Sequence, residues 1–303
     1  MTLNRKLKAL SGIARHIKQH PLASRYYLRG WLKFISWQLS QLYPHEIKKK
    51  FVGDTRYWAK RGWTGITGNI YTGLHDFSEM GFLLHFLRKD DLFIDAGANM
   101  GSYTLLAAGE AKANVLAFEP AVTTFERLKK NVLMNGLSEK VTLFNIGLGA
   151  CRKWVMFSTT LDSVNHVAEK GNLFNTPYEK TALDSLDTIL LDSDKKPVMV
   201  KIDVEGYEAE VLAGMKNLLD DSGLKVIIIE LNTSGLRYGY KDEQVDSELR
   251  TAGFLPFTYY PHKRELIKLP SYINMNTIYL RDVPFVESRL SNAKKIKLFY
   301  QEF

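Results

Sequence analysis

Short apolar runs alternate with stretches of helical period over most of the chain, and that alternation sets the expected architecture. Leu92, Phe93, Ile94 and Ala96 surround Asp95. Val115-Leu116-Ala117-Phe118 ends at Glu119, and residues 141–144 end at Asn145-Ile146-Gly147. Runs this short, bounded by Gly, Asn or acids, read as buried parallel strands. Between them lie an Ala/Leu-rich helix from Ser102 and a second helix after Pro120. Thr123-x-x-Glu126 gives the second helix a capping box, Phe125, Leu128 and Val132 share one face, and Gly136 stops it. Further on, residues 198–202 form an apolar run broken only by Lys201, followed by a helical stripe of Val211, Leu212, Met215 and Leu218. Residues 225–229 read as the next strand and 242–252 as a helix ended by Gly253, ahead of strand-like runs at 254–260 and 277–280. Alternating strands and helices predict an α/β, Rossmann-like fold with a mostly parallel sheet.

The flanks read differently. Residues 3–18 and 22–42 predict two helices divided at Pro21, whereas KRGWTGITGNIYTGL (60–74), rich in glycine and β-formers, predicts a hairpin or meander. A mostly apolar helix over 77–87 delivers the chain to the first strand. Residues 151–180 break the period: WVMFSTT is strand-like and the rest reads as an insertion at the rim, where substrate loops sit. Residues 262–276 are expected to contribute to a lid over the acceptor, and 284–303 to form a terminal basic helix. The expected division is a basic helical extension over 1–63, a catalytic domain over 64–283 and a C-terminal helix over 284–303.

The stretch DLFIDAGANMGSYT (91–104) carries the chemistry. A strand runs into Gly97 and Gly101 and then into a helix whose first N–H groups face the strand ends, as in a nucleotide site. Gly97 suits a turn with φ > 0, and Gly101 suits close approach of a ligand. The dinucleotide spacing G-x-G-x-x-G and the P-loop are both absent; the pattern is Asp95-x-Gly97-x-Asn99-x-Gly101. A carboxylate at Asp95 repels a pyrophosphate and suits an ammonium, as in S-adenosylmethionine. Glu119, 24 residues later at the end of the second strand, suits both ribose hydroxyls. The plainer alternative is a core strand with a tight turn and a solvated Glu119. Right-handed crossovers bring the third strand end to the same rim, which places Asn145 for adenine contact, although Asn is also ordinary turn chemistry there.

DLFIDAGANMGSYTLLAA, VLAFEP, VMVKIDVEGYEAEVLAGM and VIIIELN, in this order, resemble the FkbM family of S-adenosylmethionine-dependent methyltransferases over residues 64–280. The resemblance implies a class I methyltransferase fold, with 254–260 and 277–280 as the antiparallel last pair of a seven-stranded sheet. It implies O-methylation of a hydroxyl on a sugar or polyketide-like acceptor, and it places Glu79, just ahead of the first strand, near the cofactor's amino group.

Methyl transfer to a hydroxyl is an in-line displacement in which a base takes the proton, so the strand-end acids of DVEG, Asp203 and then Glu205, are the expected bases. Either could instead orient the sugar, and Glu205 also suits the start of a helix. Asp203, Glu230 and Asn232 are hard oxygen donors on neighbouring strand ends, a set that suits magnesium. The resemblance demands no metal, and direct binding of acceptor hydroxyls by these residues is the default. His75 and His166, in loops, are weaker acceptor-site candidates, and His85 reads as packed or exposed. Within enzymes, the alternative acceptor is a lipid or polyketide hydroxyl.

Composition changes this picture at one end of the chain only. Hydrophobic (45%) and charged (24%) contents are ordinary over 303 residues, but the net charge is +8. Residues 1–63 hold 14 Lys or Arg against Glu46 and Asp54 alone, a net +12, and the remainder is net acidic. Such an appendage suits anionic lipid, glycan or nucleic acid. No nucleic-acid partner is expected, because the basic residues lie outside the core and no N-P-P-[YF] element follows the fourth strand. In 22–42, Tyr27, Trp31, Phe34, Ile35 and Leu39 recur near helical spacing among basic residues, which suits peripheral membrane contact or packing on the protein itself. Cys151 is the only cysteine, which excludes an intramolecular disulfide and Cys-rich zinc clusters. With no signal-like apolar region and no run near the roughly 18 residues a spanning helix needs, the expected location is cytoplasmic, or peripheral at the inner membrane surface.

Overall fold

The computed structural model describes residues 12–15, 17–42, 45–159, 165–168, 177–298 and 301–303. Its centre is a sheet of eight strands: β1 (Leu92–Ala96), β2 (Asn114–Phe118), β3 (Val141–Phe144), β4 (Met199–Ile202), β5 (Val226–Leu231), β6 (Leu255–Tyr260), β7 (Glu265–Lys268) and β8 (Met275–Leu280). The spatial order is β7-β6-β8-β5-β4-β1-β2-β3. β3, β2, β1, β4 and β5 pair in parallel, whereas β8 runs antiparallel to β5 and to β6, and β7 antiparallel to β6. Strand order reverses between β1 and β4, so their carboxyl ends frame the crevice where ligands bind in open α/β sheets.

Both faces of the sheet are covered. Phe93, Val115, Met199 and Ile228 point to one face; Ile94, Val200, Ile227 and Ile229 point to the other. The first face packs against helices α3 (Phe77–Phe86), α4 (Ser102–Leu105, continued by a π turn to Glu110) and α5 (Val122–Met134). The second takes α6 (Glu208–Ala213) through Val211 and Leu212, and α7 (Asp242–Thr251) through Val245 and Leu249. Burying one such side chain fully is worth about 1.5–3 kcal/mol, so this double cover fixes the register of the central strands.

Several expectations change. The sheet has eight strands rather than seven, because Glu265–Lys268, expected in a lid, instead adds as an edge strand on β6. From that connection Met275 and Asn276, at the start of β8, do reach the cavity described below. Residues 64–72 form a helix, α2 (Thr64–Thr72), not a hairpin. Ile66, Ile70 and Leu74 recur every four residues and are buried, and this apolar face outweighs the β propensity of its Thr residues. Its glycines serve close packing: a Cβ at Gly65 would lie 2.3 Å from the Asn99 Oδ1, and one at Gly68 2.6 Å from the His75 Nδ1.

The basic segment is not wholly helical or separate. Helix α1 (Tyr27–Ser40) is followed by a hairpin of Ile47–Lys50 with Arg56–Ala59, and Trp37, Phe51, Val52 and Tyr57 join the main core. The hairpin edge is satisfied by α5, whose Asn131 and Asn135 Oδ1 atoms accept from the Trp58 and Arg56 N–H groups at 2.8 Å. The expected helix at 3–18 lies partly outside the described residues. At the other end, helix α8 (Val283–Ser291) stops well short of the terminus. A short pairing of Lys297–Leu298 with Gln301–Glu302 follows, and Phe303 is buried 5.1 Å from the Phe77 ring. The insertion after β3 forms a side sheet in which Lys153–Ser158 and Gly147–Leu148 both pair with Tyr178–Asp184; residues 160–164 and 169–176 lie outside the described residues.

Candidate active site

A cavity of about 490 Å³ opens at the carboxyl ends of β1, β2, β4 and β5. Its first half is organised by backbone. After β1 the chain turns through Gly97 at φ +79°, and a Cβ there would lie 1.8 Å from the Asp203 carbonyl oxygen. Glycine thus lets the ends of β1 and β4 pass in contact. Asn99, left-handed at φ +50°, closes the turn by accepting the Met100 N–H at 2.7 Å on its own Oδ1. Left-handed geometry is well tolerated by Asn. The Glu119 carboxylate clamps this loop to β2, Oε2 accepting the Asn99 N–H and Oε1 the Ala121 N–H, both at 2.9 Å. Burial pushes Glu119 up to about 7 against these bonds. Asp95 is buried, accepts the Thr104 hydroxyl at 2.6 Å on Oδ2, and has no partner for Oδ1 among the described residues. Burial raises its pKa, opposed by the Lys201 ammonium and the Thr104 hydroxyl.

The second half is organised by charge. Lys201 is Cα-paired with Asp95 across β4 and β1, so its side chain belongs to the same buried row. Its ammonium lies 2.7 Å from the Asp203 Oδ2 and 4.7 Å from the Tyr103 ring centre. Burial works to lower the Lys201 pKa, but Asp203, Asp95 and Asp76 outweigh it and hold the ammonium charged. Tyr103 donates to Asp76 at 3.0 Å. Ligand oxygens of Asp203, Glu205 and Glu230 all lie within 4.8 Å of one another. Burial and the adjacent Asp203 charge push Glu230 up to about 9, whereas Asp203 stays low because Lys201 and the Glu230 hydrogen bond overcome its own burial. One proton is therefore held on Glu230 and donated to Asp203. Glu205 is pushed to about 7 by burial and by the Asp203 and Glu208 charges. The turn that carries it is strained, with Glu205 at φ +55° and Gly206 at φ +102°. It is held by Glu208, which accepts the Gly206 N–H at 3.0 Å. Strain of this kind costs about 1–3 kcal/mol and persists where surrounding structure over-determines it.

Seven of the residues expected from sequence meet on this one cavity: Asp95, Gly97, Asn99, Glu119, Asp203, Glu205 and Glu230. Four others do not line it. Gly101 sits behind the loop at φ +92°, where a Cβ would strike the Leu128 side chain at 2.6 Å, so its glycine serves conformation and packing rather than ligand approach. Glu79 is buried beside the cavity, pushed up to about 7 by burial, and Asp76 one turn earlier supplies the acid on the wall. Asn145 turns its amide to the Glu119 and Pro120 carbonyls at 2.9 and 3.1 Å. Asn232 accepts the Ser234 N–H at 3.0 Å and does not line the cavity, whereas Glu205 lies beside Asp203 and Glu230 there. Of the histidines, His75 lines the cavity, and His166 does not, although its neighbours Asn165 and Val167 do. His85 packs with its Nδ1 2.7 Å from the Tyr259 hydroxyl.

Lys201, Asp76 and Tyr103 escape a reading of local motifs. The available signal for Lys201 was a lone charge inside the apolar run VMVKID, a place where burial is tolerated only with a partner.

A model of the methyltransferase FkbM domain matches residues 95–256, more than half of the chain. The hexuronic acid methyltransferase AglP of Haloferax volcanii is 31% identical over 150 residues, covering 50% of this chain and 59% of the relative. Methyltransferase sdnD of Sordaria araneosa is 24% identical over 199 residues, covering 55% of this chain and 75% of the relative. Among solved structures, an rRNA methylase from Streptococcus thermophilus overlays with a TM-score of 0.38 at 15% identity, over 67% of this chain and 93% of that one.

Proposed function

Since the chain belongs to the FkbM methyltransferase family, we propose that it is an S-adenosylmethionine-dependent O-methyltransferase acting on a hydroxyl of a sugar or glycoconjugate. The observation that carries this reading is the division of one cavity into a backbone-built acidic half and a charge-built half that meet where Gly97 touches Asp203. The first half fits the cofactor. The buried Asp95 Oδ1 lacks a donor among the described residues, as an ammonium ligand requires, and each Glu119 oxygen keeps a lone pair for a ribose hydroxyl. The cavity volume lies within the usual range for such sites. Bound there, S-adenosylmethionine supplies an electrophilic sulfonium methyl.

The second half handles the acceptor. A hydroxyl must lose its proton as the new bond forms, and a base is most effective when its pKa lies near the working pH. Glu205, at about 7, meets that condition better than Asp203, which the Lys201 ammonium holds low. In this reading Glu205 takes the proton, while Asp203, fixed by Lys201 and Glu230, accepts a second hydroxyl and orients the sugar. A carboxylate acceptor would need no base and would meet three acidic side chains, so the cluster favours a hydroxyl. The name of the Haloferax relative supports a sugar-derived acceptor. This reading calls for no metal: the Lys201 ammonium, 2.7 Å from the Asp203 Oδ2, already supplies positive charge beside the oxygen cluster.

Turnover by wild type and Glu205→Gln, on panels of neutral hexoses and hexuronic acids with and without EDTA, tests this. Turnover of a hydroxyl that survives EDTA and collapses in the variant is expected. Turnover equal in the variant, or abolished by EDTA and restored by magnesium, contradicts it.

A further inference from the structure

Helix α1 carries a second surface that methyl transfer does not use. Leu28, Leu32, Ile35 and Leu39 recur at i, i+4, i+7 and i+11, with Leu42 just beyond, and they are 76, 64, 47, 61 and 66% exposed. The stripe cannot turn inward, because the opposite side of α1 is pinned to the protein by Gly30, Phe34 and Trp37. A Cβ on Gly30 would lie 2.8 Å from the Ile17 side chain. Beside the stripe lies a separate pocket of about 400 Å³ lined by Leu32, Lys33, Lys49, Lys50, Tyr57 and Ile70 among others. The Tyr57 side chain is fully buried, and its hydroxyl has no hydrogen-bond partner among the described residues. The chain has no acid before Glu46, and Arg25 and Arg29 flank the stripe. Burial, Arg29 and Lys49 together push Lys33 down to about 8.

We propose that this face docks on an anionic lipid bilayer, the α1 stripe entering the acyl boundary while the lysines at the adjoining pocket take lipid phosphates. An exposed aliphatic row on a helix without acids and with basic flanks is the pattern of an interfacial helix. A second copy of this chain suits the face less well. A two-fold contact through α1 would bring together two copies of a helix that carries Arg29 and Lys33 and no acid to pair with them. Among the described residues no helix is long and apolar enough to cross a membrane, so contact is from the surface. The site also lies close to the reaction cavity. The Phe34 ring meets Tyr71 of α2 at 5.8 Å, and Asn69 of α2 lines both the pocket and the cavity. Docking thus holds the reaction cavity one helix from the bilayer.

Flotation of the full chain with vesicles of phosphatidylcholine alone, and of phosphatidylcholine mixed with phosphatidylglycerol, tests the proposal. Binding only to the mixed vesicles is expected. In L28Q/L32Q/I35Q/L39Q it falls by about tenfold or more with circular dichroism unchanged. K49Q/K50Q, which leaves the stripe intact, weakens it and flattens its salt dependence. Equal flotation of wild type and the stripe variant overturns the proposal. So does a lipid-free dimer, seen by light scattering, that fails to bind vesicles and is dispersed by the stripe variant.

Discussion

The two halves of the cavity are built by different means. Around Asp95, Asn99 and Glu119 almost every polar atom is answered by a backbone N–H or a neighbouring hydroxyl within one strand-turn-helix unit and its adjacent strand. Around Lys201, Asp203, Glu205 and Glu230 the partners are side chains from two strands and a strained turn, and their protons are shared out by mutual charge. A half fixed by backbone geometry suits binding, because N–H and hydroxyl donors hold its carboxylates in place. A half fixed by competing charges suits proton transfer, because those charges spread its carboxyl groups over a wide range and leave Glu205 at about 7.

Substitutions that strike one half, both or neither test that distinction. Gly97→Ala has the largest expected effect, since its Cβ would collide with the Asp203 backbone at 1.8 Å and its φ is positive. Both halves should fail together, with a stability loss above about 4 kcal/mol by denaturant unfolding. Glu205→Gln should separate them: kcat falls about 10²–10⁴-fold while cofactor affinity is unchanged. In wild type Glu205 is protonated, and unable to accept a proton, below about 7. kcat/KM should therefore rise about tenfold per pH unit up to that point and level above it. The rising limb should be absent in the variant. Lys201→Met leaves Asp203 without its ammonium. Because the Asp203 side chain is 32% exposed, the loss should be about 2 kcal/mol rather than the full cost of an orphaned buried charge. The limb in kcat/KM should also move as the Asp203 pKa rises. Asn145→Ala should have the smallest effect, about 1 kcal/mol of stability for bonds to two carbonyls, with cofactor affinity nearly unchanged. A tenfold loss of affinity in that variant would return Asn145 to the binding half.

The same contrast explains what could be read from the chain. That Asp95, Gly97, Asn99 and Glu119 meet on one cavity was legible because their placement follows from local order: strand, glycine turn, helix, and an acid at the next strand end. Lys201 was not, because its importance comes from register. Only when β4 pairs with β1 does it face Asp95, and nothing in VMVKID alone states which residue lies opposite. Glu205 was ranked behind Asp203 for the same reason, since the charge that holds the Asp203 pKa low comes from this unread neighbour. Gly101 and Asn145 were misplaced in the opposite sense, as strong local signals whose groups turn to Leu128 and to backbone carbonyls. Helix α2 was missed where glycine was taken as turn chemistry, although those glycines admit Asn99 and His75 at close range.

The most direct measurement is calorimetric titration of S-adenosylmethionine and S-adenosylhomocysteine into wild type, Asp95→Ala and Glu205→Gln. Binding by wild type, loss of at least about 1.5–3 kcal/mol in Asp95→Ala for the missing charged partner, and unchanged affinity in Glu205→Gln are predicted. No binding by wild type, or equal losses in both variants, would contradict a cavity divided into a cofactor half and an acceptor half.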